Sequence, residues 1–109
     1  MEIQTQLDGF LVSAQNMVDD HYIKNGFAPL QGCKLITISG SKYIKIVAKT
    51  IHNGQLQEDS GSAWAFIDKT TGEIFKPASS KIPAKHARGS IMSEDFGLSC
   101  LTPYGPKYL

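Results

Sequence analysis

The apolar residues of the first 23 positions recur every three or four residues, which is the spacing of one face of an α-helix. The Asn25-Gly26 pair can adopt the left-handed conformation that ends helices, and Pro29 follows it. A helix of this kind must bury its apolar side, so the rest of the chain has to supply a surface for it. The apolar positions are Ile3, Leu7, Phe10, Leu11, Ala14, Met17, Val18 and Tyr22.

The chain then changes to the period of two that is typical of β-strands. We predict strands at residues 35–38, 42–51, 63–67 and 73–76, and a polar loop from His52 to Gly61. In the second strand, Ile44, Ile46, Ala48 and Thr50 are expected to lie under the helix. The predicted fold is α+β: an N-terminal amphipathic helix packed on a roughly four-stranded, mostly antiparallel β-meander, followed by a coil-rich basic arm.

We expect a single domain over residues 1–109, with the helix in 1–26, the meander in 34–77, and the basic arm and tail in 78–109. Within the arm, Pro77 and Pro83 argue against a continuous helix. Pro83 is nevertheless acceptable in the first turn of a short helix over residues 84–88.

Several functional classes are not supported by the sequence. Cys33 and Cys100 are far apart and form no Cys-x-x-Cys motif, so no zinc site is expected. The glycines lack the spacing of a phosphate-binding loop, and the acidic residues are scattered, so we expect neither an enzyme nor a cofactor. No stretch is long and apolar enough to span a membrane, and the N-terminus lacks the features of a signal peptide, which predicts a cytoplasmic protein.

The positive charge is concentrated in the middle of the chain. Residues 34–88 have nine basic and four acidic residues, whereas residues 1–33 have one lysine and four acidic residues. Small residues and prolines separate the charges after residue 75, so the backbone there can approach a phosphate closely. A lysine-rich face that only keeps the protein in solution is the alternative explanation. The predicted anion- or nucleic-acid-binding residues are Lys76, Lys81, Lys85, His86 and Arg88, with Lys45, Lys49 and Tyr43 on the neighbouring sheet.

Two large aromatic residues have an open assignment. Trp64 and Phe66 are two positions apart and are therefore expected on the same face of their strand. Burial in the core is the commoner outcome for such side chains. The alternative is that they join Tyr43 as a stacking surface for bases.

Residues 65–79 (AFIDKTTGEIFKPAS) and 83–91 (PAKHARGSI) resemble a group of small uncharacterised tailed-phage proteins. The pattern of that group is F-V-D-K-x-T-G-D-(V/I)-x-K-x-A-S-W-K-A-P-A-K-H-x-R-G-N-I. A Pro-Tyr-Gly sequence near its end is similar to residues 103–105 here. This chain departs from the pattern at Ser80, where the group has Trp, and at Ser90, where it has Asn. The resemblance implies a phage origin and attaches no activity.

Together these features predict a non-enzymatic phage accessory protein in the host cytoplasm that binds an anionic partner, above all nucleic acid, through the basic arm. One alternative is a small interaction protein that sequesters a host defence factor or a phosphorylated signal molecule. Another is a minor virion or assembly component. We also expect a homo-oligomer, because the tail residues Tyr104, Tyr108 and Leu109 are too apolar for a free end.

Overall fold

The computed structural model describes residues 3–27 and 29–107, which form one long helix, a six-stranded sheet and a separate two-stranded hairpin. A short 3-10 helix at Leu98–Cys100 precedes the hairpin. The other elements are α1 (Ile3–Lys24), β1 (Gln31–Ser39), β2 (Tyr43–His52), β3 (Gln55–Leu56), β4 (Ser62–Asp68), β5 (Glu73–Pro77), β6 (Pro83–Ser90), β7 (Leu101–Thr102) and β8 (Gly105–Pro106).

The strands of the sheet are antiparallel and lie in the order β1-β2-β4-β5-β6, with β3 paired to the end of β2. The predicted α+β class is confirmed, but the prediction of roughly four strands is wrong. One reason is the Asn53-Gly54 pair, whose φ angles of 53° and 77° suit a two-residue hairpin turn. That turn folds Gln55 and Leu56 back onto β2, where a loop was predicted.

The second reason is the segment predicted as a coil-rich arm. Pro83–Ser90 forms β6, the edge strand beside β5, so neither a coil nor a short helix is present over these residues. The segment tolerates this because Pro83 is its first residue, where a missing N–H removes no ladder hydrogen bond. Two register shifts between β5 and β6 absorb the remaining irregularity.

The helix lies on one face of the sheet and buries the predicted apolar stripe. Leu7, Phe10 and Val18 are buried, and Leu11 and Met17 pack against the same cluster from its margin. Each fully buried side chain of this size stabilises the fold by about 1.5–3 kcal/mol relative to exposure. No helix in the described part of the chain is long and apolar enough to cross a lipid bilayer. The sheet contributes Leu35, Ile46, Trp64, Ala65, Ile67 and Ile74 to this core.

The hairpin formed by β7 and β8 packs on β4 and β5 on the helix side of the sheet. The indole Nε1 of Trp64 donates a hydrogen bond to the Pro103 carbonyl at 3.3 Å. Lys76 Nζ donates to the Pro106 carbonyl at 3.1 Å, and Pro106 is fully buried. The C-terminal segment up to Lys107 is therefore docked on its own domain.

The tail residues predicted to drive oligomerisation have different positions. Tyr104 is 76% exposed, and its hydroxyl lies 3.1 Å from His21 Nε2 of the helix. Tyr108 and Leu109 lie outside the described residues. The homo-oligomer stays a prediction.

A bulge in β4 separates Trp64 from Phe66. The register between β2 and β4 shifts between Ile46 and Val47, where β4 has one extra residue. Trp64 is that residue, and it packs edge-on against Phe10 of the helix at 6.5 Å between ring centroids. Phe66 is on the opposite face. The prediction that both aromatic residues share a face is wrong because the bulge interrupts the alternation.

Candidate anion-binding pocket

The face of the sheet away from the helix bears three aromatic rings, one from each of β2, β4 and β5. The ring centroid of Tyr43 lies 6.1 Å from that of Phe66 and 5.9 Å from that of Phe75, and both contacts are edge-to-face. Phe66 and Phe75 are direct partners across the β4–β5 pair. Phe66 is consequently only 4% exposed, although the helix packs on the other face. The three rings form a firm apolar floor.

A pocket of about 310 Å³ lies beside this floor. The β1–β2 turn forms one side of it and the β5–β6 turn forms the other. This volume is close to the lower end for small-molecule sites, roughly 300–1,000 Å³, so the pocket has room for one small group. The pocket is lined by Ile38, Gly40, Ser41, Lys42, Tyr43, Lys45, Phe66, Ser80 and Lys81.

Hydrogen bonds from a neighbouring turn hold the β1–β2 side of the pocket. Gly40 N–H donates to the Tyr43 carbonyl at 2.9 Å and closes the turn. Lys69 Nζ reaches across and donates to Ser39 Oγ at 3.0 Å and to the Gly40 carbonyl at 2.8 Å. Lys69 thereby positions this wall of the pocket.

Asp68 in turn fixes the segment that carries Lys69. Its Oδ1 accepts hydrogen bonds from the backbone N–H groups of Thr70, at 2.7 Å, and Thr71, at 3.0 Å. The bonds from Thr71 and Thr70, with a smaller contribution from the charge of Lys42, hold the pKa of Asp68 below its ordinary value. The carboxylate is therefore ionised at neutral pH and is engaged in its own turn.

The opposite wall is a tight turn that ends β5. Ser79 Oγ accepts hydrogen bonds from the N–H groups of Lys81 and Ile82, both at 3.2 Å. Ala78 N–H donates to the Ile82 carbonyl at 2.8 Å. These bonds present Ser80 and Lys81 to the pocket.

Three lysines and no carboxylate line the pocket. Lys42 Nζ lies 5.3 Å from the ring centroid of Tyr43, within the range of a cation–π contact. The two ion pairs among the described residues involve Lys24 and Lys49, so neither neutralises a pocket lysine. The pocket therefore concentrates positive charge beside an aromatic surface, and such a field attracts anions.

The structure brings together three of the eight residues predicted for the site, namely Tyr43, Lys45 and Lys81. Lys49 is engaged elsewhere, because its Nζ donates to the Glu58 carbonyl at 2.6 Å and lies 3.8 Å from the Glu58 carboxylate. Lys42 also lines the pocket and was missing from the predicted site. Phe66, which the sequence left open between the core and a stacking surface, lines the pocket as well.

The other predicted site residues belong to different surroundings. Lys76 and Arg88 hold the C-terminal segment: Lys76 bonds the Pro106 carbonyl, and Arg88 Nε donates to the Lys107 carbonyl at 3.0 Å. Lys85 and His86 are exposed on β6 and do not line the pocket.

The described residues offer little for metal or thiol chemistry. Residues 3–27 and 29–107 contain no group of three or more histidine, cysteine, aspartate or glutamate side chains that could hold a metal ion. Burial, with a smaller effect of Asp19, raises the pKa of the Cys33 thiol; burial, with a smaller effect of Asp95, raises that of Cys100. Both thiols therefore remain protonated and poorly nucleophilic at neutral pH.

Two cavities beside the helix have a different electrostatic character. A pocket of about 260 Å³ at the end of the helix includes Asp19, and another of about 440 Å³ beside the helix includes Asp20. Each has one carboxylate and no lysine, so neither favours an anion.

The chain matches a family of unknown function, DUF7717, over residues 10–104. Comparison with curated proteins and with solved structures gives no match.

Proposed function

Because the chain belongs to this family of unknown function, its activity has to be inferred from its surface, and we propose that it is a non-enzymatic phage accessory protein that binds single-stranded nucleic acid. One nucleotide occupies the basic aromatic pocket. The observation that carries the proposal is that Lys42, Lys45 and Lys81 line one pocket together with Tyr43 and Phe66. The phage origin rests on the resemblance of residues 65–79 and 83–91.

The chemistry of the pocket suits a nucleotide better than a simple anion. Lysine ammonium groups neutralise phosphate whatever the base sequence. The ring of Tyr43, which is half-buried and lines the pocket, offers a stacking surface that accepts any base. A concave pocket admits a base only when that base is unstacked from its neighbours, which favours single strands over duplexes.

Two triple variants with the same loss of charge test this proposal. In the first, Lys42, Lys45 and Lys81 are all changed to alanine; in the matched control, the exposed Lys34, Lys85 and Lys107 are changed. Binding to a fluorescent single-stranded oligonucleotide is titrated over a series of salt concentrations. Each phosphate contact contributes about 0.7 to the slope of log affinity against log salt, so the pocket variant should lose roughly 2 from this slope.

The control variant should keep most of the slope of the wild-type protein. Equal losses in the two variants would mean that only overall charge matters. Absence of wild-type binding at low salt would exclude nucleic acid as the ligand. A Tyr43→Leu variant isolates the ring, and we expect it to weaken binding with little change in the salt slope.

The second candidate function is capture of a small phosphorylated molecule, such as a signal nucleotide. It is favoured by the small size of the pocket and by the dispersal of the other basic residues away from it. The two functions differ in how affinity depends on ligand length. Saturable binding of a free mononucleotide as tight as that of an oligonucleotide supports capture, whereas affinity that rises with strand length supports nucleic-acid binding.

A further inference from the structure

The two edges of the sheet differ in how well they are protected against pairing with another strand. The β6 edge begins with Pro83, carries Lys85 and has two register shifts, and all of these features hinder strand addition. The β1 edge has nine consecutive pairs with β2 and no bulge. Its last five residues, 35–39, have the sequence Leu-Ile-Thr-Ile-Ser, without charge or proline. This part of β1 is a suitable template for a further strand.

A side chain of the helix shows which backbone groups of β1 face outward. Gln15 Nε2 donates to the Cys33 carbonyl at 2.8 Å, and Gln15 Oε1 accepts from Leu35 N–H at 2.8 Å. Residues of an antiparallel strand alternate between bonding to the partner strand and facing away from it. The backbone N–H and carbonyl groups of Thr37 and Ser39 therefore face away from β2, as those of Leu35 do.

The outward groups beyond Gln15 form a symmetric set. They are the Leu35 carbonyl, the N–H and carbonyl of Thr37, and the Ser39 N–H, with the Ser39 carbonyl as one further acceptor at the end of the strand. An acceptor and a donor thus lie at equal distances on either side of Thr37. A second copy of the same strand, related by a two-fold axis, presents complementary groups to the Leu35 carbonyl, to both groups of Thr37 and to the Ser39 N–H; the Ser39 carbonyl lies opposite the partner's Leu35, whose N–H is bonded to Gln15.

We propose that two copies of this chain associate by antiparallel pairing of β1 with β1, about a two-fold axis at Thr37. Thr37 N–H donates to the carbonyl of the partner's Thr37, and Ser39 N–H donates to the carbonyl of the partner's Leu35. Each bond occurs twice by symmetry, and Leu35 N–H keeps its bond to Gln15. The two sheets become one continuous sheet.

The same register covers apolar surface that is exposed in one copy. Ile38 is 51% exposed and lines the anion-binding pocket. With Thr37 opposite the partner's Thr37, Ile38 lies opposite the partner's Ile36. Such pairs are of the closely spaced kind, about 4.5 Å between Cα atoms, so the two branched side chains pack together. Both pockets then open on the same face of the continuous sheet.

Charged variants at Thr37, which is exposed, test both the interface and its register. We expect the wild-type protein to sediment at twice 11.9 kDa at micromolar concentration. Thr37→Lys and Thr37→Asp alone should each sediment as monomers, because like charges then face each other across the axis. An equimolar mixture of the two variants should restore the dimer. Thr50→Lys, an exposed position on the central strand β2, is the control and should remain dimeric.

A cross-linking variant checks the register without added charge. Cα atoms of directly opposite hydrogen-bonded residues are about 5.5 Å apart, within the range that a disulfide spans. Thr37→Cys should therefore cross-link under mild oxidation, whereas Thr50→Cys should not. A monomeric wild-type protein would overturn the proposal. So would charged variants that stay dimeric, or failure of the mixture to re-form a dimer.

Discussion

The C-terminal hairpin is held in place by a close approach that only glycine allows, and Gly105→Ala tests this directly. Gly105 has φ of +118°, and a Cβ atom there would lie 2.6 Å from the Trp64 carbonyl oxygen. A positive φ costs an alanine about 1–2 kcal/mol. Displacing a backbone atom of a packed strand costs about 1–3 kcal/mol more. We therefore expect a loss of roughly 2–5 kcal/mol, a large part of the total stability of a domain this size.

The assay uses Trp64, the single tryptophan of the chain. Its indole is 4% exposed and donates to the Pro103 carbonyl of the hairpin. Undocking of the hairpin should shift its emission to the red and open it to a soluble quencher. The urea midpoint followed by circular dichroism should fall at the same time.

Gly54→Ala is the matched control, because Gly54 also has a positive φ, +77°, but a Cβ there meets nothing within 4 Å. It should show only the conformational cost, about 1–2 kcal/mol, with unchanged tryptophan emission. If Gly105→Ala is no more destabilising than Gly54→Ala and leaves Trp64 shielded, the argument from close approach is wrong.

Two further variants examine charged groups outside the pocket. Arg88→Ala removes hydrogen bonds to the Lys107 and His86 carbonyls and should lower the free energy of unfolding in urea by about 1–2 kcal/mol. Its nucleic-acid affinity should be no weaker than that of the control variant of Lys34, Lys85 and Lys107. A loss of affinity without a loss of stability would return Arg88 to the site. Because the pKa of Asp68 is lowered in the folded state, its carboxylate stabilises the protein above its ordinary pKa of 3.8, and this contribution is lost as pH falls through the folded-state value. In the Asp68→Asn variant, the urea midpoint should therefore fall less steeply as the pH is lowered. Curves of urea midpoint against pH that superimpose for the wild-type protein and the variant would contradict this role.

The parts of the fold that follow from local pattern were predictable. The helix spans Ile3–Lys24, within the predicted 1–26, because its three-to-four spacing and the Asn25-Gly26 stop are both local signals. The hairpin of β4 and β5 was predicted for the same reason. The Asn53-Gly54 turn is an equally local signal for a short hairpin, and the sequence prediction overlooked it.

The strand β6 could not be predicted from its own residues. Proline, glycine and alanine have low strand propensity, and residues 83–90 have no apolar alternation. The segment forms a strand because β5 offers it a row of backbone partners, so tertiary pairing overrides propensity. The same pairing moves Arg88 toward the C-terminal segment, away from the phosphate-binding role predicted for it.

The pocket depends on an equally non-local feature, the single extra residue in β4. Strict alternation would place Trp64 and Phe66 on one face. If both lay away from the helix, the Pro103 carbonyl of the hairpin would lose its hydrogen bond from the Trp64 indole. If both lay on the helix side, Tyr43 would lose its contact with the Phe66 ring. The bulge at Trp64 satisfies both requirements, because it turns one aromatic residue toward the helix and leaves the other beside the lysines. A bulge changes no residue type or spacing in the strand that carries it, so the sequence pointed to Tyr43, Lys45 and Lys81 but not to the arrangement that places them beside Lys42 and Phe66.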